Sequence, residues 1–269
     1  MIKVTVCGAA GRMGRRILTL ADRQKEVFEI SGAVDFSGSP FKGSKITDFT
    51  EIKNSAILLA DSLNSCIEQT DVVIDFSTPE ATIEHTKISA EHNTPIVIGT
   101  TGLSENQTKK IESFSKSLSI VFAPNMSIGV NLLFNLVKKV AGILDDDYDI
   151  EIVEAHHRFK KDAPSGTAKR LAELVAEGRN VDLNEKGVYG RHGLTGERKK
   201  GNIGVHAVRM GSVVGDHTVS FANLEERFEL THKAQSRDTF AMGSLKAARF
   251  VVGVENGLYD MQDVLGLKS

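Results

Sequence analysis

The sequence predicts an α/β chain in two parts, and three observations carry the prediction. Through the first half, short β-branched runs alternate with helical patterns, the trace of a parallel sheet flanked by helices. From Ser127 the pattern changes to one long helix followed by alternating strands with Gly-containing turns, which describes a smaller α+β part with a mixed or antiparallel sheet. The tail from Ser236 again reads as an amphipathic helix able to return to the first part. The expected division is residues 1–126 with 236–269 against residues 127–235.

Taken in order, the expected strands of the first part are "IKVTV", "FEISGAV", "AILLA", "DVVIDF", "PIVIG" and "SIVFA". Ser77 with Glu80 and Ser104 with Gln107 have the spacing of capping boxes, and Pro79 suits a first helical turn. In the second part Leu132, Leu133, Leu136, Val137 and Val140 recur at helical spacing. "YDIEIVEA", "IGVHAVRM", "VVGDHTVSFA" and "RFELTHKA" follow as strands.

At 269 residues the chain can bury a core in each of two modest domains. Hydrophobic residues at 41% and charged residues at 25% exclude a disordered or fibrous chain. No apolar run reaches the roughly 20 residues a bilayer demands, so no membrane partner is expected. Met1 leads straight into "IKVTV" without the pattern of a signal peptide, which points to a cytoplasmic protein. Two cysteines, Cys7 in a strand and Cys66 in an apparent helix, make no disulfide framework and no metal spacing. Lys+Arg 33 against Asp+Glu 35 gives a field that draws in no nucleic acid. Lys186, Arg191, Arg198, Lys199 and Lys200 form a local basic stretch, read first as a solvated loop and second as a basic flap near an anionic substrate.

"VTVCGAAGRMGRRI" sets Gly8, Gly11 and Gly14 between a strand and a helix. Glycine there permits a tight turn and close approach of a pyrophosphate to the helix N-terminus. Asp35 ends the second strand about 20 residues on, where a carboxylate accepts hydrogen bonds from a ribose. A dinucleotide site follows, and Asp35 with Phe36 favours NADH over NADPH, because a carboxylate repels the extra phosphate and no arginine compensates it. Arg12 and Lys42 are the cations left to tolerate that phosphate. "GTTG" and "APNMS" follow later strands of the same sheet and should face the cofactor.

"EAHHRFKKDAPSGTA" concentrates titratable donors beside a turn. Ser165 is placed to cap the helix that follows, and the first-turn N–H groups of Gly166 and Thr167 would point at a carboxylate or phosphate. His156, His157 and Lys160 supply protons just upstream. Adjacent histidines on an extended chain point to opposite faces, and nothing completes a ligand set with Glu154, so no metal is expected.

"GAAGRMG", "DFSTPE", "VIGTTG", "APNMSIGVN", "EAHHRFKKDAPSGTA" and "ERFELTHKA", in this order over nearly the whole chain, resemble the bacterial dihydrodipicolinate reductase family of lysine and diaminopimelate biosynthesis. The resemblance implies a reductase using NADH or NADPH, with a Rossmann domain completed by the C-terminal segment. It also implies a mixed-sheet substrate domain through which four chains associate as a homotetramer. Carried over by position, it makes His156 the catalytic histidine and Lys160 the proton donor. His157, Gly166 and Thr167 become the substrate set, joined by Ser165 from its place at the helix start, for a small cyclic imine with two carboxylates. Gly8, Ala9, Ala10, Gly11, Arg12, Met13, Asp35, Gly99, Thr100, Thr101, Ala123, Pro124, Asn125 and Met126 become the nucleotide contacts, and Phe36, next to Asp35, is placed with them by position. Many members carry arginine where this chain has Phe36. The rival readings are another two-domain dehydrogenase of amino-acid precursors, and a non-catalytic NADH-sensing module.

Overall fold

In the computed structural model, which describes residues 1–268, the β-branched start of the chain forms β1 (Ile2–Cys7) and passes through the glycine turn into α1 (Arg12–Asp22). β2 (Phe28–Val34), β3 (Leu59–Ala60) and β4 (Val72–Asp75) follow, then α2 (Pro79–Glu91), β5 (Ile96–Ile98), α3 (Glu105–Phe114) and β6 (Ser119–Phe122). α4 (Ile128–Ile143), β7 (Asp149–His156), α5 (Gly166–Arg179), α6 (Leu183–Lys186) and β8 (Gly187–Tyr189) come next. β9 (Ile203–Arg209), β10 (Gly215–Ala222) and β11 (Arg227–Ala234) complete that stretch, and α7 (Asp238–Val251), β12 (Gly257–Tyr259) and α8 (Met261–Val264) close the chain. These elements make two compact units, Met1–Ile128 with Arg237–Ser269, and Gly129–Ser236.

The first unit is a seven-stranded parallel sheet in the order β12-β6-β5-β4-β1-β2-β3. Its central strands are almost unbroken Val and Ile and are buried on both faces, as a parallel sheet covered by helices requires. Val4, Val6, Ile74 and Val97 pack with α1 and α7 residues such as Ile17, Leu18, Leu245 and Ala248 in one core layer. Val73, Ile96, Ile98, Ile111 and Ile120 form a second.

The second unit is a five-stranded mixed sheet, β11-β10-β7-β9-β8, with β10 antiparallel to both β7 and β11 and with β7, β9 and β8 mutually parallel. Leu133 and Val137 of α4, with Leu171 and Val175 of α5, cover the face that carries Ile150, Ile152, Val219 and Phe221. The opposite face leaves Val153 and Val208 exposed.

The α/β class and the mixed second sheet are as expected from the sequence, and the local departures have local causes. "AILLA" narrows to the two paired residues of β3, because Ile57 and Leu59 exchange backbone hydrogen bonds with the turn segment at Ser44 and Ile46 instead. Cys66 lies between two short 3-10 turns rather than in a helix. Ser104 does form its capping box with Gln107. Thr78, not Ser77, caps α2, because the Ser77 hydroxyl is taken by Asp75. β8 and β12 are three-residue edge strands too short to show a period.

Candidate functional site

The glycine turn is built by close backbone approach. Gly8 has φ +74°, and a Cβ there would collide with the Phe76 carbonyl oxygen; one on Gly14 would collide with the Gly8 carbonyl. Gly11 N–H closes the turn on Gly8 O at 3.1 Å, and α1 starts at Arg12 with no acidic residue in its first turn. That end of the helix therefore presents its positive dipole without a resident carboxylate. The Ala10 peptide is held from both sides. Its N–H donates to Asp35 Oδ2 at 2.8 Å, and its carbonyl accepts from Arg15 Nε at 2.6 Å. The Arg15 guanidinium itself rests on the rings of Phe41 and Phe49, 4.8 and 5.5 Å from their centroids.

Beside this turn is a cavity of about 480 Å³, entirely within the first unit. Of the residues expected at the nucleotide, Gly11, Arg12, Met13, Gly99, Thr100, Thr101, Pro124, Asn125 and Met126 line it. Gly8, Ala9 and Ala10 shape the turn, Asp35 and Phe36 stand at the end of β2, and Ala123 is buried at the end of β6. Phe76, Ser77 and Phe240 also line the cavity and were not anticipated. A Cβ on Gly99 would run into the Phe76 ring, so glycine there lets the "GTTG" loop close over that ring. These cradles fit a dinucleotide. Lys42 is ion-paired with Asp61, so its charge is already compensated; Phe36 is 68% exposed.

Asp75, buried at the end of β4, ties two of these loops together. Its Oδ1 accepts from Ser77 N–H at 2.9 Å, from Ser77 Oγ at 2.6 Å and from Thr100 Oγ1 at 3.1 Å, and its Oδ2 lies 2.7 Å from His85 Nδ1. Cys7, Asp75 and His85 also bring potential metal-ligating atoms within 4.8 Å of one another, a grouping the sequence did not disclose. Burial, then the charge of Asp75, pushes the Cys7 thiol pKa well up, which disfavours the thiolate a metal would need.

In the second unit, strand register does the assembling. β7 runs between β10 and β9, and pairing sets His217 opposite Glu154 on one side and Arg209 opposite His156 on the other. Glu154 and His156, two apart on a strand, share a face. His156 Nδ1 lies 2.6 Å from Glu154 Oε2. Arg209 donates to both Glu154 oxygens, at 2.8 and 2.9 Å, and Ser165 N–H donates to Oε1 at 3.1 Å. Burial acts to raise the Glu154 pKa, but the bonds from Arg209, then His156 and Ser165, outweigh it and hold the carboxyl below its ordinary range.

Ser165 caps α5 as expected, its Oγ accepting from Ala168 N–H at 3.2 Å, and the same oxygen is 3.1 Å from His217 Nε2. Burial, then the neighbouring His156, lowers the His217 pKa to about 4, so this ring is neutral near pH 7. The His156 and His217 rings meet edge to face at 5.2 Å. Gly166 faces open space, with no atom within 4 Å of where a side chain would begin. Lys160 Nζ is held by both oxygens of Asp162, at 2.8 and 2.9 Å, and His157 Nδ1 is buried without a partner. A cis peptide joins Ala163 to Pro164.

Of the residues read from the sequence, His156 and Ser165 meet on one carboxylate, that of Glu154; Arg209 and His217, not anticipated, join the cluster only through sheet pairing. Glu154 was legible as sharing a face with His156. The basic stretch runs as an exposed loop between β8 and β9, as first read, in which Arg191 and Arg198 pair with Glu151 on the open face of the sheet, and Lys200 with Asp147.

A family model described as the dihydrodipicolinate reductase N-terminus matches residues 2–126, and one for the C-terminus of the same family matches residues 129–265. A 4-hydroxy-tetrahydrodipicolinate reductase of Syntrophus aciditrophicus is 48% identical over 269 residues, covering 100% of each chain. One from Hahella chejuensis is 48% identical, also with 100% of each chain covered. Among solved structures, a dipicolinate-bound dihydrodipicolinate reductase from Paenisporosarcina sp. TG-14 matches with TM-score 0.77 and 26% identity over 98% of each chain.

Proposed function

The chain belongs to the dihydrodipicolinate reductase family, and from that premise we propose that it reduces the cyclic imine 4-hydroxy-tetrahydrodipicolinate to tetrahydrodipicolinate, in lysine and diaminopimelate biosynthesis, with NADH or NADPH. The observation that carries the reading is the cluster in the second unit, where a carboxylate-anchored His156 stands beside the Ser165-capped start of α5. A doubly anionic ring needs both features: a helix start to receive a carboxylate, and an acid to deliver a proton.

The roles divide by unit. The first unit holds the dinucleotide through Gly8 to Met13, Asp35, Phe36, the Gly99–Thr101 turn and residues Ala123 to Met126. When bound, the reduced nicotinamide supplies a hydride. The second unit orients the substrate carboxylates on Ser165, Gly166, Thr167 and His157, which limits the ring to few orientations. The ring hydroxyl leaves as water, which gives the conjugated imine; hydride addition to the carbon end of that system then leaves electron density on its nitrogen end. Lys160 delivers the proton there, its ammonium held ready by Asp162, with His156 as the adjacent acid or relay.

NADH is the preferred coenzyme, because Asp35 carries a negative charge at the ribose end and Lys42 is already occupied by Asp61. The protein acts in the cytoplasm, in keeping with two unpaired cysteines. Among the described residues no helix is long and apolar enough to cross a membrane. It works as a homotetramer, for which the uncovered face of the five-stranded sheet is the contact surface.

The test is oxidation of NADH and of NADPH in the presence of enzymatically generated cyclic imine. Substrate-dependent oxidation, faster with NADH, is expected. A protein that oxidises neither, and whose melting temperature does not respond to pyridine-2,6-dicarboxylate with NADH present, is no such reductase.

A further inference from the structure

Glu154 is fully buried, and its four hydrogen-bonding positions are all filled: His156 and one Arg209 nitrogen on Oε2, Ser165 N–H and the other Arg209 nitrogen on Oε1. A carboxylate in such a place is costly unless every position is satisfied, and an apolar side chain would serve packing as well. What distinguishes this one is where its partners lead. His156 is the acid of the proposed reaction, and Ser165 begins the turn that receives a substrate carboxylate. Arg209 continues to the Asp162 carbonyl oxygen at 2.6 Å, and Asp162 in turn grips Lys160. One buried group thus connects to the acid, the anion turn and the proton donor.

We propose that Glu154 is a positioning residue for the reduction: it fixes His156 with Nδ1 bound inward and Nε2 presented outward, and holds the Ser165 turn and the Arg209–Asp162–Lys160 chain at a set spacing from it. The inference rests on the proposed roles of His156 and Lys160. A ring nitrogen that donates to a fixed carboxylate determines which nitrogen remains for chemistry. Glutamine cannot replace the glutamate here, because its NH₂ would face donors on two of the four positions. Its charge is also needed opposite Arg209.

Ring spectra, turnover and two ligand affinities test this. Nitrogen-15 spectra of the wild-type protein, with the His156 signal assigned by its loss in His156→Asn, are expected to show the neutral ring as the single Nδ1–H tautomer. An Nε2–H or mixed population overturns the proposal whatever the activity. Glu154→Gln is expected to mix the tautomers, lower kcat by ~100-fold, the scale of a general-acid contribution, and weaken pyridine-2,6-dicarboxylate binding by about tenfold, the loss of one charge-assisted bond. Its Kd for NADH should stay at the wild-type value. If the unpaired Arg209 prevents folding, the Glu154→Gln/Arg209→Met variant removes both charges together and should show the same split. Wild-type kcat in the folded variant, or an equal fall in NADH affinity and kcat, leaves Glu154 a structural residue only. Absence of reductase activity in the wild type would instead remove the assigned reaction and leave the tautomer result standing.

Discussion

Arg16 on α1 and Asp238 at the start of α7 are joined by two hydrogen bonds, at 2.7 and 2.8 Å, across 222 residues of sequence. Glu51 takes a third guanidinium nitrogen at 2.6 Å, so one arginine binds the returning segment to the nucleotide-binding half. The hydrogen bond that Arg16 donates to Asp238 is the leading cause of a raised Arg16 pKa. The pair is partly exposed, so its worth is about 1 kcal/mol. Asp238→Asn is expected to lower Tm by about 2–4 °C. Gly243→Ala is the harsher change, because a Cβ there would collide with the Met126 carbonyl oxygen and separate α7 from the loop after β6. Thermal unfolding and NADH titration should show that variant losing stability and nucleotide affinity together.

Removing the proposed acids should divide chemistry from nucleotide binding. Lys160→Ala and His156→Ala are each expected to cut turnover by at least ~100-fold while leaving NADH affinity nearly intact. Stopped-flow oxidation of NADH beside a direct titration reads both quantities. Wild-type turnover in both variants would take these residues out of the mechanism.

The proposed preference for NADH can be tested at Asp35, whose carboxylate also accepts the Ala10 N–H. Asp35→Ser keeps an acceptor for that N–H and removes the charge that repels a ribose phosphate. The ratio of kcat/KM for NADPH over NADH is expected to rise about tenfold, equivalent to 1.4 kcal/mol. An unchanged ratio would place coenzyme discrimination elsewhere, with Arg12 the next candidate.

How far the sequence discloses this molecule depends on how local each signal is. The glycine turn, the strands of the parallel sheet and the Ser165 cap are local, set by backbone geometry and by hydrogen bonds within four residues, and they could be read directly. Glu154 was half legible, since period-two alternation places it beside His156. Arg209 and His217 were not, because their places depend on the order and register of β9, β7 and β10, which a mixed sheet does not write into any one strand. Ser77 misled for the opposite reason: its spacing to Glu80 is right for a cap, but a buried carboxylate two residues earlier takes its hydroxyl.

Asp75 offers a test of loop support within the first unit. Its carboxylate holds Ser77 and Thr100, both of which line the cavity, and rests on His85. Asp75→Ala would leave several hydroxyls without their shared acceptor and release both loops. NADH affinity is expected to fall by at least ~10-fold, one lost charge-assisted contact at each loop, with pyridine-2,6-dicarboxylate binding measured without nucleotide unaffected. Equal losses in both titrations would mean that the substitution unfolds the chain generally.

Acid should act first through His217. Its pKa of about 4 lies below the ordinary 6.5 because of burial, then the neighbouring His156, with Glu154 opposing and His232 and Lys160 adding to the depression. The unfolded chain therefore binds this proton more readily than the folded one. The stabilising contribution of the neutral ring is complete above pH 6.5 and is lost as pH falls from there toward about 4. Glu151 has the same sign in a lower window. Burial raises its pKa, the bonds from Arg191, His206 and Arg198 bring it down from 4.5 to about 2, and its contribution is lost over that interval. Tm measured against pH should decline in two stages. His217→Asn, whatever its Tm at neutral pH, is expected to flatten the upper stage and leave the lower one, whereas Glu151→Gln should flatten only the lower. An upper stage that persists in His217→Asn would assign the acid sensitivity to another group.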